Sequence, residues 1–406
     1  MRRMLTTVVL CLAGVVFNAL MVGPDALKSA GRGLNDFRQL YTAGLLAGNA
    51  GMYDPERGLR AQAGFVGEAN ANPRLPVNRL PFYGLFLKPL TLLPYTVALR
   101  FWFAFQFACV CGFVASLPPA YRLQAAVVCC WSYPLFFALA IGQDLPLMLL
   151  AAGLSARLYH TGRFVWAGLA LSVCLIKFHL LLLLPVFILA RKERRLAAGF
   201  LTGCGIAFLL SVAAAGWSFP VAYLNALRGP NANLSQSTMP NLNGLLTTLH
   251  APPWAEFVGA FVVVLAAWFI ARRSGTLHAV AGTTAGSLLV SHHAYVQDCS
   301  ILIPGILGLL VVSRSGFTRL IAFFLLVPAV YIASGQGLLC LVPTVLMLLL
   351  VLALAFEARA VRGLPPDGND FSKMNASGER GTSAAHPVRS TPKMSAMFQI
   401  TRPAYQ

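Results

Sequence analysis

The feature that most constrains this chain is a succession of apolar runs, most of them close to the ~20 residues that one helical crossing of a bilayer requires. They fall at residues 5–22, 94–117, 123–141, 145–159, 196–217, 254–271, 277–290, 301–312, 320–332 and 338–356. Basic turns separate many of them, among them Arg122, Arg157 with Arg163, Arg191 to Arg195, Arg272-Arg273 and Arg314 to Arg319. A segment in hydrocarbon must satisfy its own backbone hydrogen bonds, so runs of this length predict helices. The fold class is therefore all-α, a polytopic membrane bundle.

Composition agrees. The chain is 57% hydrophobic and only 11% charged, against about 25% charged for a soluble domain. The net charge of +18 would suit nucleic acid, but the cations sit in the turns between apolar runs, where cytoplasmic loops carry them. Nucleic acid is thereby excluded as a partner, and membrane lipid takes its place. The nine cysteines lie within or at the edges of apolar runs without metal-ligand spacing, as small apolar fillers do.

Arg2 and Arg3 place the N-terminus inside. No small-x-small cleavage site follows the first run, which is read as a retained span. Residues 23–93 then form a long external loop, rich in Gly, Pro, Asn and Arg. Residues 164–189 separate two basic clusters that both belong inside. The segment is read as a hairpin of two short helices, with Lys177 and His179 at its outer tip. Counting it as two gives about twelve spans, with both termini inside. Residues 1–358 make the membrane domain. Residues 359–406 turn to Gly, Pro, Ser, Thr, Lys and Arg and read as a disordered cytoplasmic tail.

With that topology, polar residues away from the basic turns gather on the outer side. Asp36, Arg38 and Tyr41 follow the first span. Arg79 and Tyr83 precede the second. Gln143 and Asp144 lie between the third and fourth, Lys177 and His179 at the hairpin, and His292, His293 and Asp298 before the run at 301–312. Ionisable groups at membrane depth are costly, so several converging on one face imply a cavity. A few carboxylates among cations and aromatics suit a phosphate-bearing lipid and a hydroxyl-rich partner. Arg and Lys hold phosphate, and an Asp takes a proton from an acceptor hydroxyl. Each residue also has a plainer role: Asp36 or Asn35 as a helix cap, Gln143-Asp144 as another, Lys177 as a snorkelling side chain. The adjacent His292 and His293 lack the spacing of a zinc pair, and no metal or other cofactor is expected.

Several of these stretches together resemble glycosyltransferase family 87. They are Asp36-Phe-Arg-Gln-Leu-Tyr41 with Met52-Tyr-Asp-Pro55, Arg79-Leu-Pro-Phe-Tyr83, Ile141-Gly-Gln-Asp144, Lys177, and His293-Ala-Tyr-Val-Gln-Asp298 ahead of an apolar run ending in Pro304. This is a branch of the GT-C membrane enzymes that includes polyprenyl-phosphate-mannose-dependent mannosyltransferases. The resemblance implies a GT-C-like bundle in the bacterial cytoplasmic membrane, with its active site facing outside. It implies inverting transfer of a sugar, mannose in the best-known members, from a polyprenyl-phosphate donor to a lipid or glycan acceptor. Asp36 takes the place of the family's loop aspartate, and His292 or His293 that of its functional histidine. Lys177-Phe-His179 departs from the family's usual Lys-Pro, and Gly-Gln-Asp144 from its usual Gly-Gln-Asn. A lipid-linked sugar flippase or other transporter would use the same cations, but would not depend on a single carboxylate.

Overall fold

The chain's prolines and polar breaks decide where its apolar runs stop being straight helix. A computed structural model describes residues 2–49, 51–228, 236–333 and 337–360. Helices come first as α1 (Arg2–Val22), α2 (Pro24–Gly31), α3 (Phe37–Leu46), α4 (Pro55–Val66) and α5 (Pro81–Leu87). Next are α6 (Tyr95–Ser116), α7 (Arg122–Trp131), α8 (Tyr133–Ala140), α9 (Leu145–His160), α10 (Phe164–Ser172), α11 (Leu184–Arg191) and α12 (Arg194–Ala215). Then follow α13 (Phe219–Leu227), α14 (Leu242–Thr248), α15 (Trp254–Arg273) and α16 (Thr276–Val290). The last are α17 (Ile303–Val312), α18 (Gly316–Phe324), α19 (Pro328–Ile332) and α20 (Val342–Ala360). No strand occurs among the described residues.

Six helices are long and apolar enough to cross a membrane, or up to seven if one bent pair forms a single span. Large apolar side chains stand exposed along them, including Phe257, Phe261, Leu201 and Phe107, as a hydrocarbon surrounding favours. The sequence expectation was about twelve crossings, and the difference has a local cause: several runs are broken into shorter helices. The run at 123–141 bends by 63° between α7 and α8. Pro134 has no amide hydrogen to continue α7, and Ser132 restarts the helix by accepting from the Leu135 amide at 3.3 Å. The run at 320–332 likewise divides ahead of Pro328.

Residues 164–191 turn back on themselves. After α10 the chain runs as 3₁₀ helix over Val173–Leu181, with Lys177 at non-helical φ −135° and ψ 61°. Ala167 from the start of the segment and Phe187 and Ala190 from its end share one apolar cluster. α10 meets α12 so closely that a Cβ at Gly199 would lie 1.9 Å from the Val165 carbonyl oxygen.

Residues 23–93 are not an irregular loop. They fold into α2 to α5, and α3 is inserted into the principal core. Phe37, Leu40 and Tyr41 pack there with Trp102, Met148, Leu288 and Ile301. The expected tail from residue 359 opens with the last turn of α20, and residues 361–406 lie outside the described residues.

Candidate active site

Two short connections are knitted together at one end of the bundle. The Asp36 amide donates to the Ile141 carbonyl at 2.9 Å, and the Asn35 side chain donates to the Ala140 carbonyl at 3.3 Å. Gly142 makes this approach possible. Its φ is +74°, and an added Cβ would sit 3.0 Å from the Phe37 Cβ. The Trp102 indole donates to the Gly142 carbonyl at 2.9 Å, and the Gln106 amide to the Gln143 carbonyl. The backbone around residues 142–144 is thereby held from α3 and α6 at once.

A continuous polar chain grows from that junction. Gln143 donates to Asp36 Oδ2 at 2.5 Å, and Gln143 Oε1 accepts from Arg79 at 3.1 Å. Arg79 Nε donates to Asp144 Oδ2 at 2.9 Å. Lys177 stands 3.9 Å from Asp144 and 2.7 Å from Asp298. The second oxygen of Asp298 accepts from the Tyr295 amide at 2.8 Å. Five separate stretches of chain contribute. Asp144, Arg79, Lys177 and Asp298 are all buried, so each charge needs its partner.

The three carboxylates are not equivalent. Asp144 and Asp298 each accept from a cation, whereas the hydrogen bond to Asp36 comes from a neutral amide. Asp36 occupies the position before α3 where a cap would sit, yet its side chain makes no capping bond; the Asn35 side chain accepts from the Phe37 amide instead. Asp54, eighteen residues on by sequence number, shows the alternative. It caps α4 by accepting from the Glu56 and Arg57 amides. Burial pushes the Asp36 carboxyl above the usual carboxylate range, while the Gln143 hydrogen bond and the charges of Lys177, Arg79 and Arg38 pull it down. Asp144 likewise makes no capping bond to α9, and Lys177 is buried in ion pairs and does not snorkel.

The adjacent histidines point to different places. His292 is 57% exposed and pairs with Glu256 at 2.9 Å. The His293 ring lies 6.0 Å from that of His179 and 4.7 Å from that of Tyr295. Burial lowers the His293 pKa, with Asp298 opposing and Lys177 reinforcing the shift.

Other polar residues singled out in the sequence lie off this chain. Arg38 donates to the Asn35 and Asn70 carbonyls. Tyr41 donates to the Leu93 carbonyl within an aromatic group containing Phe37, Phe65 and Tyr95. Tyr83 is buried, and its hydroxyl has no partner among the described residues. Residues that were not among the candidate site residues also belong here. Tyr53 donates to the Arg79 carbonyl at 2.9 Å and packs on Tyr223, which meets Phe178 beside Lys177. Asn241 and Asn243 hold the histidine turn. Paired asparagines in a polar loop carry no periodicity, and only their place opening a helix marked them.

An almost wholly apolar cavity of about 370 Å³ extends from Cys174 and Ile301, each one turn from Lys177 or Asp298, to Tyr121, Tyr159 and Thr276 toward the opposite end of the bundle. Among the described residues no group of three or more His, Cys, Asp or Glu side chains is disposed to hold a metal ion.

The geometry is a buried network of three carboxylates, an arginine and a lysine at one end of the bundle, and a comparison with known proteins gives the chain a class. The model of glycosyltransferase family 87 matches residues 81–294, more than half of the chain. The chain belongs to glycosyltransferase family 87. Membership implies a glycosyltransferase, with a sugar donor and an acceptor as substrates, and its apolar helices mark it as a multi-pass membrane protein. The matched stretch includes Gln143, Asp144, Lys177, His179 and both adjacent histidines; Asp36, Arg79 and Asp298 fall outside it. No curated protein and no solved structure matches the chain.

Proposed function

We propose that this glycosyltransferase is a hexosyltransferase. It moves a sugar, mannose as the first choice, from a polyprenyl-phosphate donor to a hydroxyl of a lipid or glycan acceptor, with inversion and with Asp36 as general base. The reading includes the expected topology of about twelve crossings. The charged chain then faces the outside of a bacterial cytoplasmic membrane.

The observation that carries it is the unequal pairing of the three carboxylates. A base must be able to give up its resting partner and accept a proton as the new bond forms. Asp144 and Asp298 are committed to Arg79 and Lys177, and releasing either would strand a buried charge. Asp36 has only the Gln143 amide to exchange. Its raised pKa makes it a stronger base than an exposed carboxylate, and the nearby cations favour the ionised form. Inversion needs one such group, because the acceptor oxygen attacks carbon as the phosphate leaves and no sugar–enzyme bond forms.

The pairing also changes how phosphate must be held. Arg79 and Lys177 already share their charges with carboxylates, so they stabilise a departing phosphate as a preorganised array and not as free cations. His293 and His179 stand beside Lys177 and supply the remaining donors. Tyr53, Tyr223 and Phe178 offer ring faces for a sugar. The apolar cavity supplies hydrocarbon-lined volume for a lipid tail.

The test is to purify the protein and screen polyprenyl-phosphate sugars against a panel of lipid and glycan acceptors. The expected result is transfer from one polyprenyl-phosphate hexose with inverted anomeric configuration. Transfer from nucleotide sugars alone, or movement of a lipid-linked sugar from one leaflet of a vesicle to the other without glycosyl transfer, would contradict it.

A further inference from the structure

We infer that Asn241 and Asn243 are positioning residues for His293, acting through the backbone of residues 291–293; the inference rests on His293 contacting the donor phosphate as proposed above. Three successive carbonyls of this turn are held by side chains. Asn241 Nδ2 donates to the Ser291 carbonyl at 2.7 Å, and Asn243 Nδ2 donates to the His292 carbonyl at 3.0 Å. The Ser291 hydroxyl donates to the His293 carbonyl at 2.9 Å. α16 ends at Val290 and the next 3₁₀ turn begins at Val296, so the intervening residues have little helical bonding of their own. Two of the three bonds that fix them come from residues about fifty positions away in sequence.

The clamp is itself anchored. Asn241 is fully buried, and its Oδ1 accepts from the Gly244 amide at 2.8 Å, which caps α14. One side chain therefore starts a helix with its oxygen and holds the turn with its nitrogen. Leu242 joins the principal core. On the opposite side of the turn, the outward His292 ring pairs with Glu256 of α15. The two adjacent histidines divide the work: His292 tethers the turn to the bundle, and His293 faces His179, Tyr295 and the Lys177–Asp298 pair. A displacement of about 1 Å at a group contacting the reaction costs on the order of a hundredfold in rate.

Asn241→Asp separates the two functions of that side chain. Asp caps helices as well as Asn, but it replaces the donor facing the Ser291 carbonyl with a second oxygen. Asn243→Ala removes the other donor and provides an independent arm if Asn241→Asp does not fold. Each is compared with His293→Gln and with the corresponding double variant, in transfer assays on purified full-length protein with polyprenyl-phosphate hexose. The expected result is a loss of about tenfold to a hundredfold in turnover for each Asn variant, with no further loss when either is placed in the His293→Gln background. A purely structural role would make the losses multiply. Multiplying losses, or wild-type turnover in both Asn variants, overturns the inference and leaves the reading of His293 standing. Wild-type turnover in His293→Gln overturns both.

Discussion

Two clusters of buried and half-buried polar groups tie this protein together, and they differ in how their carboxylates are paired. At the end opposite the charged chain, Glu357 of α20 accepts from Ser313 at 3.0 Å and from Thr318, and lies 3.3 Å from His278 of α16. That cluster joins three helix ends through one carboxylate whose bonds are all spoken for. The charged chain joins five stretches and contains three aspartates, of which one, Asp36, has an amide as its side-chain partner among the described residues. Both are staples by position, and the second also holds a carboxylate, Asp36, whose hydrogen bond comes from a neutral amide and which is proposed above as the base. Burial and hydrogen bonding are common to the two; spare bonding capacity is what separates a site from a staple.

The largest effect should come from breaking an ion pair in the charged chain. Lys177→Met leaves Asp298 buried without its cation, which costs about 3–5 kcal/mol, read as a drop in melting temperature in detergent. Adding Asp298→Leu should recover most of that stability while transfer stays lost. If the double variant recovers transfer as well, this pair is only a staple and the contrast with Glu357 collapses.

The dependence of transfer on pH sharpens the comparison. Asp36 must be ionised to accept a proton, and burial raises its pKa above the ordinary carboxylate value of 3.8. Activity should therefore begin to fall as pH drops through that raised value, about tenfold per unit below it, so that the bend of the profile lies above the ordinary value. A profile of kcat/KM from about pH 3 to 8 reads the limb directly. A limb at or below the ordinary carboxylate value would remove the argument from burial.

The smallest effect is expected at the staple. Glu357→Gln keeps the shape and some of the hydrogen bonds and should cost about 1–2 kcal/mol of stability. Turnover per folded molecule should be unchanged, as judged by transfer assays normalised to folded protein. A large loss of turnover would mean that the far end takes part in the reaction.

How much of this was readable in the sequence depends on the range of the interactions involved. Long helices such as α6, α12 and α15 follow from run length, and the convergence of Asp36, Arg79, Gln143, Asp144, Lys177 and Asp298 follows from the side of the membrane on which each run ends. Pairing does not follow. Arg38 sits two residues from Asp36, yet it serves the Asn70 carbonyl, because a loop more than thirty positions away folds over α3. Adjacency could not separate His292 from His293; the choice is made by Glu256 on one side and His179 on the other. The turn at Lys177 was legible from the two basic clusters that flank residues 164–189, whereas the break at Ser132 was passed over although Pro134 marks it, and six or seven helices long enough to cross stand where about twelve crossings were expected.

The central claim is that Asp36 differs in kind from the two aspartates beside it. The direct measurement is single-turnover transfer by Asp36→Asn, Asp144→Asn and Asp298→Asn, each normalised to folded protein that has bound donor. Asp36→Asn preserves size and any capping role, so the account predicts a stable protein that binds donor normally and transfers about 10²–10⁴-fold more slowly. The other two should lose stability first. Wild-type transfer by Asp36→Asn, with turnover lost in Asp144→Asn or Asp298→Asn that remain well folded, would contradict it.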